Sequence, residues 1–593
     1  MALRFALAPV LLAATVVAAA PQYRTLNDRL DPPQFASREA WTARAGYLRE
    51  RVLASAGLLP MPARTPLNAV VFGEVTHADY VVAKVYFESL PGFFVAGNLY
   101  RPPGRGPFPA ILSPHGHWTN GRLEHTPTNS GPGRAIGLAR QGFVVFTHDM
   151  VGYNDSRQLP HTFGGRRESL WGLSLGGLQL WNGIRALDFL ETLPYVRRDG
   201  FGVTGESGGG TQTFLLGAVD DRVAVAAPVN MISLHMQGGC LCENMPGLRL
   251  DTNNVEIAAT IAPRPLLMVS ATGDWTAETL EREFPAMKTA YALFGAESKV
   301  HAVRFTAEHN YNKDSREAMY AWMARWLQNA PAETRRPERS FSPDPLADLL
   351  VFYGRPLPES RLTPEQLTEQ WIGSAKSQLG STPPAVLQSA LRHALGFGAE
   401  GTPADRLRQR AGESADALRA KAEGSTSRAR IAVVADVGPD VVSALRAARF
   451  DVRPVTFTPF DEAAAAKVRH FDTYNRTAAS QRVADIVAAL RASPSAVLVA
   501  DGEAGLPALL AAAMVPVRIA IVGAQGFDAG DDRQFLERLY IPGVRRAGDF
   551  ATAAAMMRGE TIIHDGRGRF TAGALRVERD ALSARRIAAL ASR

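Results

Sequence analysis

Apolar residues along this chain gather in short runs bounded by glycine, proline and charged residues. Residues 80–87 and 93–100 are dense in β-branched and aromatic side chains and predict a pair of strands. Further short apolar runs at 110–113, 143–147, 202–204, 223–228, 265–270 and 302–305 predict buried strands. Amphipathic stretches at 38–53, 177–190 and 317–327 predict helices. Apolar runs alternating with helices indicate a mostly parallel sheet covered on both faces, an α/β architecture. A stretch rich in proline, arginine and glutamate at 329–345 marks a boundary. The pattern divides the chain into a first α/β lobe over 21–330, a linker and helical connector over 331–429, and a second α/β lobe over 430–593.

Residues 1–20 have a different grammar. One charge (Arg4) precedes an apolar run from Phe5 to Val17 and then Ala18, Ala19 and Ala20, the pattern of a secretory signal peptide. A secreted or periplasmic location is therefore expected. No other stretch reaches the 18 apolar residues that would suggest a second membrane segment.

Composition narrows the classes. At 593 residues, 46% hydrophobic and 21% charged, the chain is long enough for two to four globular units. Its net charge of +7 comes from 58 arginines and seven lysines spread among 58 acids, with no basic run. Nucleic acid is not an expected partner. The two cysteines, Cys240 and Cys242, exclude a disulfide scaffold and a four-cysteine zinc site. A disulfide between them would close a small strained ring; free thiols fit as well. A His235/Cys240/Cys242 metal site fits poorly.

The chemistry centres on Gly205-Glu206-Ser207-Gly208-Gly209, a G-x-S-x-G motif between a predicted strand and a predicted helix. That setting is a nucleophile elbow, a tight turn that exposes the serine hydroxyl at a helix N-terminus. A carboxylate, Asp274, follows the strand at 265–270, and His309 follows the strand at 302–305. The order Ser…Asp…His makes Ser207 the nucleophile, His309 its base and Asp274 the residue that orients the imidazole. His301, at a strand start, is a weaker rival base. Two backbone amides should form the oxyanion hole: Gly208, and His117 in the loop Ser113-Pro114-His115-Gly116-His117-Trp118. His115 and His117 have the i, i+2 spacing of a metal pair, but no third ligand accompanies them, so neither a metal nor a cofactor is expected. Trp118, Trp171 and Trp275 fall near loops that should border the site and suit the faces of sugar rings; Trp181 fits the core better.

Together with Asp149-Met150-Val151-Gly152-Tyr153, these motifs cover about residues 70–330 and resemble the secreted α/β-hydrolases of the acetyl xylan esterase and dienelactone hydrolase-like group. The resemblance implies an α/β-hydrolase fold and a serine carboxylic-ester hydrolase. It also implies an acyl-enzyme mechanism without cofactor and an ester substrate carried on plant polysaccharide. The chain departs from that group in having Gly208 after the nucleophile, where acetyl xylan esterases usually have glutamine and glucuronoyl esterases arginine. Two alternatives are a serine peptidase of prolyl-oligopeptidase-like type, which lacks here the long preceding propeller, and a non-catalytic carbohydrate-binding protein.

The second lobe repeats the first without its chemistry. Gly502-Glu503-Ala504-Gly505 stands where an elbow would stand, and Asp565 lies 61 residues after Ala504, as Asp274 lies 67 after Ser207. Tyr474-Asn475-Arg476-Thr477 echoes Tyr153-Asn154-Asp155-Ser156. Ala504 has no hydroxyl and no histidine follows His564, so this lobe reads as a truncated, non-catalytic hydrolase-like domain.

Overall fold

The apolar runs of the first lobe close into one nine-stranded sheet. In the computed structural model the described residues are 22–398, 430–567, 570 and 575–593. Residues 1–21, which include the expected signal peptide, and connector residues 399–429 lie outside them. The strands are β1 (Val70–Thr76), β2 (Val81–Leu90), β3 (Phe93–Arg101), β4 (Phe108–Leu112), β5 (Val144–His148), β6 (Val196–Glu206), β7 (Val223–Val229), β8 (Leu266–Ala271) and β9 (Val300–Phe305). Their spatial order is β1-β2-β3-β5-β4-β6-β7-β8-β9. β1, β2 and β3 pair antiparallel, β3 joins β5 antiparallel, and β5 to β9 run parallel.

Burial explains the continuous apolar runs. Every residue of β5 and β8 is buried, because helices cover both faces. Helices Leu175–Thr192 and Gly208–Val219 pack on one face. Helices Gly131–Arg140 and Lys313–Leu327 supply Ile136, Leu138, Met319 and Met323 to the other.

The second lobe contains β10 (Arg430–Ala435), β11 (Phe450–Pro454), β12 (Val497–Ala500), β13 (Ile519–Gly523), β14 (Glu560–His564) and β15 (Arg576–Val577). They form a wholly parallel sheet in the order β11-β10-β12-β13-β14-β15. Counted by appearance, these strands and the parallel set β4 to β9 share one winding, 2-1-3-4-5-6.

The lobes are not separate beads. A single apolar core runs from Trp41 and Val52 through Phe214 to Leu509 and Phe550. At the seam, Arg546 donates to the carbonyls of Gly57 and Pro60, and Tyr474 Oη donates to Asn244 Oδ1 at 2.6 Å. The connector helix Pro364–Leu379 joins them, its Trp371 indole donating to the carbonyl of Trp171.

Two buried imidazoles give the fold an acid limit. Burial holds His148, at the end of β5, and His393, in helix Pro384–Ala394, down to about 4. In the unfolded chain each titrates near 6.5. Between about pH 6.5 and 4 the unfolded state therefore binds protons that the folded state refuses. Stability present above that window is lost across it, by roughly 3 kcal/mol per histidine. Urea midpoints measured at intervals from pH 7 to 4 should fall across this range, with a shallower fall in His393→Gln. Equal slopes in the two proteins would contradict the assignment.

Candidate active site

Ser207 sits on the turn between β6 and helix Gly208–Val219 with φ +55° and ψ −120°. A non-glycine residue in this region is strained by about 1–3 kcal/mol, which the surrounding packing must hold. The glycines on either side are sterically required. A Cβ on Gly205 would come 2.4 Å from the Pro114 carbonyl oxygen, and one on Gly209 would come 2.6 Å from the same atom. The turn therefore presses the loop after β4 against the start of the helix. Ser207 is half-buried, and its backbone N–H donates to the carbonyl of Val229 at 3.0 Å.

Asp274 and His309, the expected acid and base, stand on neighbouring loops at the same edge of the sheet, after β8 and β9. His309 Nδ1 donates to Asp274 Oδ2 at 2.8 Å. The other oxygen, Asp274 Oδ1, accepts the Thr276 backbone N–H at 2.7 Å and the Thr276 hydroxyl at 2.5 Å. With Oδ1 so occupied, Oδ2 faces the imidazole and fixes its tautomer, leaving Nε2 free to accept a proton. The Asp274 carboxylate is 2% exposed and the His309 side chain 27%, so the pair is sheltered at one end and open at the other.

Two of the three tryptophans border this histidine. The Trp275 ring centroid is 4.6 Å from that of His309, and the Trp118 ring lies nearly parallel to it at 6.1 Å. Trp171 does not border it, which corrects the expectation of a substrate-facing ring. Its side chain is buried at the seam, where the indole N–H bonds the Asp532 carboxylate and Arg545 covers the ring. A loop tryptophan has two surfaces to choose from in a two-lobed chain, and this one faces the second lobe. Trp181 is fully buried and donates to the Ser89 carbonyl, as a core residue should. His301, the rival base, is exposed on β9 and stacks on Trp322.

Sequence reasoning passed over the acid inside the motif. Glu206 is fully buried and organises the loop beside Ser207. Its Oε1 accepts the backbone N–H of Gly116 at 3.1 Å, the Trp118 indole N–H at 2.8 Å and the Asn129 amide at 3.2 Å. Its Oε2 pairs with buried Arg134 at 2.9 Å. A carboxylate one residue before Ser207 thus holds the loop that carries His117. The acidic x of G-x-S-x-G was the available signal.

His115 is excluded from ligating a metal, because both ring nitrogens are engaged. Nδ1 donates to the Gly116 carbonyl at 2.6 Å and Nε2 accepts the Met150 N–H at 2.9 Å. Burial keeps this imidazole neutral, well below its ordinary range. The His117 ring instead turns toward Gly208, His161, Cys240 and Cys242. Those two histidines and two cysteines approach one another closely enough to hold a metal ion, although no metal was expected from the sequence. His235, on the other hand, bonds the Asn27 carbonyl and takes no part.

In the second lobe, Ala504 closes a short 3-10 turn at φ −88° and ψ −15°. The echo of the elbow in the sequence therefore lacks the strained geometry of Ser207.

No protein-family model matches the chain. Among solved structures, Methylesterase BT1017 matches at 30% sequence identity over 59% of this chain and 78% of its own, with a TM-score of 0.50. "Putative hydrolase YtaP" of Bacillus subtilis (strain 168) is 25% identical over 258 residues, 40% of this chain and 84% of its own length. A structure described as a putative acetyl xylan esterase (BF1801) from Bacteroides fragilis NCTC 9343 matches at 18% identity over 46% of this chain and 76% of its own, with a TM-score of 0.38. Among the described residues, no helix is long and apolar enough to cross a membrane. With the strand order and the methylesterase similarity in hand, the chain belongs to the α/β-hydrolase superfamily, in its carboxylic-ester-hydrolase group.

Proposed function

We propose that the protein is a serine ester hydrolase that removes small ester groups from plant polysaccharide through an acyl-enzyme intermediate. The observation that carries this reading is the 2.8 Å Asp274–His309 pair at the sheet edge where Ser207 is held at φ +55°. His309 Nε2 takes the Ser207 proton as Oγ attacks the ester carbonyl. The backbone N–H groups of Gly208 and His117 receive the oxyanion, in a field made favourable by the helix N-terminus. The tetrahedral intermediate collapses, and His309 returns the proton to the departing alcohol. Water, deprotonated by the same imidazole, then attacks the acyl-serine and releases the acid.

Trp118 and Trp275 beside the imidazole favour a substrate with flat, amphipathic rings, and the similar methylesterase favours a small ester. The test is a panel of acetylated xylan, methyl-esterified uronan, feruloylated arabinan and a peptide amide, run beside labelling with a fluorophosphonate. Expected are covalent labelling of Ser207 and turnover of an acetyl or methyl ester, with the amide untouched. An unlabelled, inactive protein would remove the reading, and amide turnover would replace it with a peptidase. Export through the segment 1–20 belongs to the same proposal.

We read residues 430–593 as a disarmed copy of the hydrolase that braces the active lobe. The shared 2-1-3-4-5-6 winding supports the copy, since Ala504 and Asp565 follow its third and fifth strands as Ser207 and Asp274 follow those of the first. Thr473 and Tyr474, both bonded to Asn244, support the brace.

A further inference from the structure

Four side chains that ester hydrolysis does not use converge beside the nucleophile. His117, His161, Cys240 and Cys242 each bring one ligand atom into a group that spans no more than 4.8 Å. Among the described residues, it is the only group of three or more His, Cys, Asp or Glu with this property. His117 Nε2 is 3.2 Å from Cys242 Sγ, and His161 Nε2 is 3.3 Å from Cys240 Sγ. Around tetrahedral zinc, with metal bonds of about 2.3 Å to sulfur and 2.0–2.1 Å to nitrogen, a nitrogen–sulfur edge is about 3.5 Å. The two contacts are within a few tenths of an ångström of that edge. Two thiols and two imidazoles are also the donor set that selects zinc over calcium or magnesium.

The surroundings orient these ligands. His161 Nδ1 can only donate to the carbonyl of Val151, at 2.6 Å, so its Nε2 keeps a lone pair directed at Cys240. Glu243 Oε2 accepts the backbone N–H groups of Gly239 and Cys240, each at 2.9 Å, and its Oε1 accepts the Thr211 hydroxyl at 3.2 Å. The turn carrying both thiols is thereby tied to the helix that starts at the nucleophile. Neither cysteine is in a disulfide.

We propose that His117, His161, Cys240 and Cys242 form a closed tetrahedral Zn2+ site that fastens together the loop after β4, the loop after β5 and the loop after β7. Four protein ligands leave no position for water, so the zinc is structural and takes no part in the reaction. Binding converts the thiols to thiolates and releases their protons to solvent. One ligand is the side chain of His117, whose backbone N–H is the second oxyanion donor in the proposed mechanism. Its ring lies against the residue that provides the first, since a Cβ on Gly208 would be 2.6 Å from His117 Cε1. The metal therefore positions the oxyanion hole. The site itself does not depend on the ester-hydrolase reading; only its effect on rate does.

The test uses the full-length protein, expressed with zinc, desalted and analysed for metal and thiols. About one zinc per chain is expected, with two free thiols on denaturation in chelator and slow thiol reaction in the native holoprotein. Replacing zinc with Co2+ should produce a thiolate-to-cobalt charge-transfer band and the intense visible absorption of tetrahedral cobalt. Cys240→Ser and His161→Ala should each lose both the metal and the band. The wild-type readings stand even if these variants fold poorly. Reduced protein that takes up no zinc on reconstitution, or a Cys240–Cys242 disulfide in the purified chain, would overturn the site. Stoichiometric zinc whose removal leaves kcat unchanged would overturn its positioning role. Metal content is read without substrate, so an inactive enzyme with one zinc would fail the functional reading and keep this one.

Discussion

Ser207→Ala should lower kcat/KM for a short-chain ester by on the order of 10⁴- to 10⁶-fold while leaving the urea midpoint near that of the parent. Without Oγ the acyl-enzyme cannot form, and what remains is attack by water assisted by the oxyanion donors and by binding. The substitution also removes no hydrogen bond from the fold, because among the described residues Ser207 Oγ has no partner. The strain at φ +55° persists in alanine, so stability should change little. Initial rates above background, compared at equal folded protein by circular dichroism, provide the measurement. Activity within tenfold of the parent would eliminate Ser207 as nucleophile. Asp274→Asn should give a smaller loss, since the serine and the imidazole both remain.

The largest effect on stability is expected at Arg134→Met. Arg134 and Glu206 are both buried, and the guanidinium also donates to Ser113 Oγ and lies 4.4 Å from the centroid of the Tyr311 ring. Methionine would fill much of the volume but leave the Glu206 carboxylate without its counter-ion. Breaking a buried pair in this way costs about 3–5 kcal/mol, because one charge stays buried and unpaired. Glu206 also holds the Gly116 amide and the Trp118 indole, so kcat should fall along with stability. The double variant Arg134→Met/Glu206→Gln removes the unpaired charge and should recover part of the loss. Urea denaturation of the three proteins decides the matter. A single variant costing under about 1 kcal/mol, or a double variant no better than the single, would show that the pair is not what holds this loop.

The parts of this protein that could be read from its sequence are those whose cause is local. The strands at 110–113, 143–147 and 265–270 were visible because both their faces are buried, which makes each run apolar throughout. The elbow was visible because the tight turn demands small residues at Gly205 and Gly209 and a strand before it. Asp274 and His309 followed from the order of loops at one sheet edge. Helix Gly131–Arg140 was missed: its three glycines hide the helical period, and with it went Arg134, the counter-ion of Glu206. The histidine–cysteine cluster was missed for a different reason. Its ligands come from three loops separated by 44 and 79 residues, and spacing carries no signal when only the sheet winding brings them together. Trp171 was misassigned because a sequence does not say whether a loop faces solvent or another lobe.

The seam between the lobes also bears on how the chain is made. Arg24 bonds Asn475 across 451 residues, and Arg546 bonds Gly57 across 489. A ribosome emits Ser207, Asp274 and His309 long before it emits Arg546. At about 5–20 residues per second the interval is on the order of ten seconds to a minute. Throughout that time Trp171 and the turn at Gly57–Pro60 lack their second-lobe partners Asp532 and Arg546. The nascent chain thus passes through a stage in which the proposed catalytic residues are all present while the seam of the first lobe is still uncovered. Its yield in a cell should depend on how well chaperones cover that seam until the second lobe arrives.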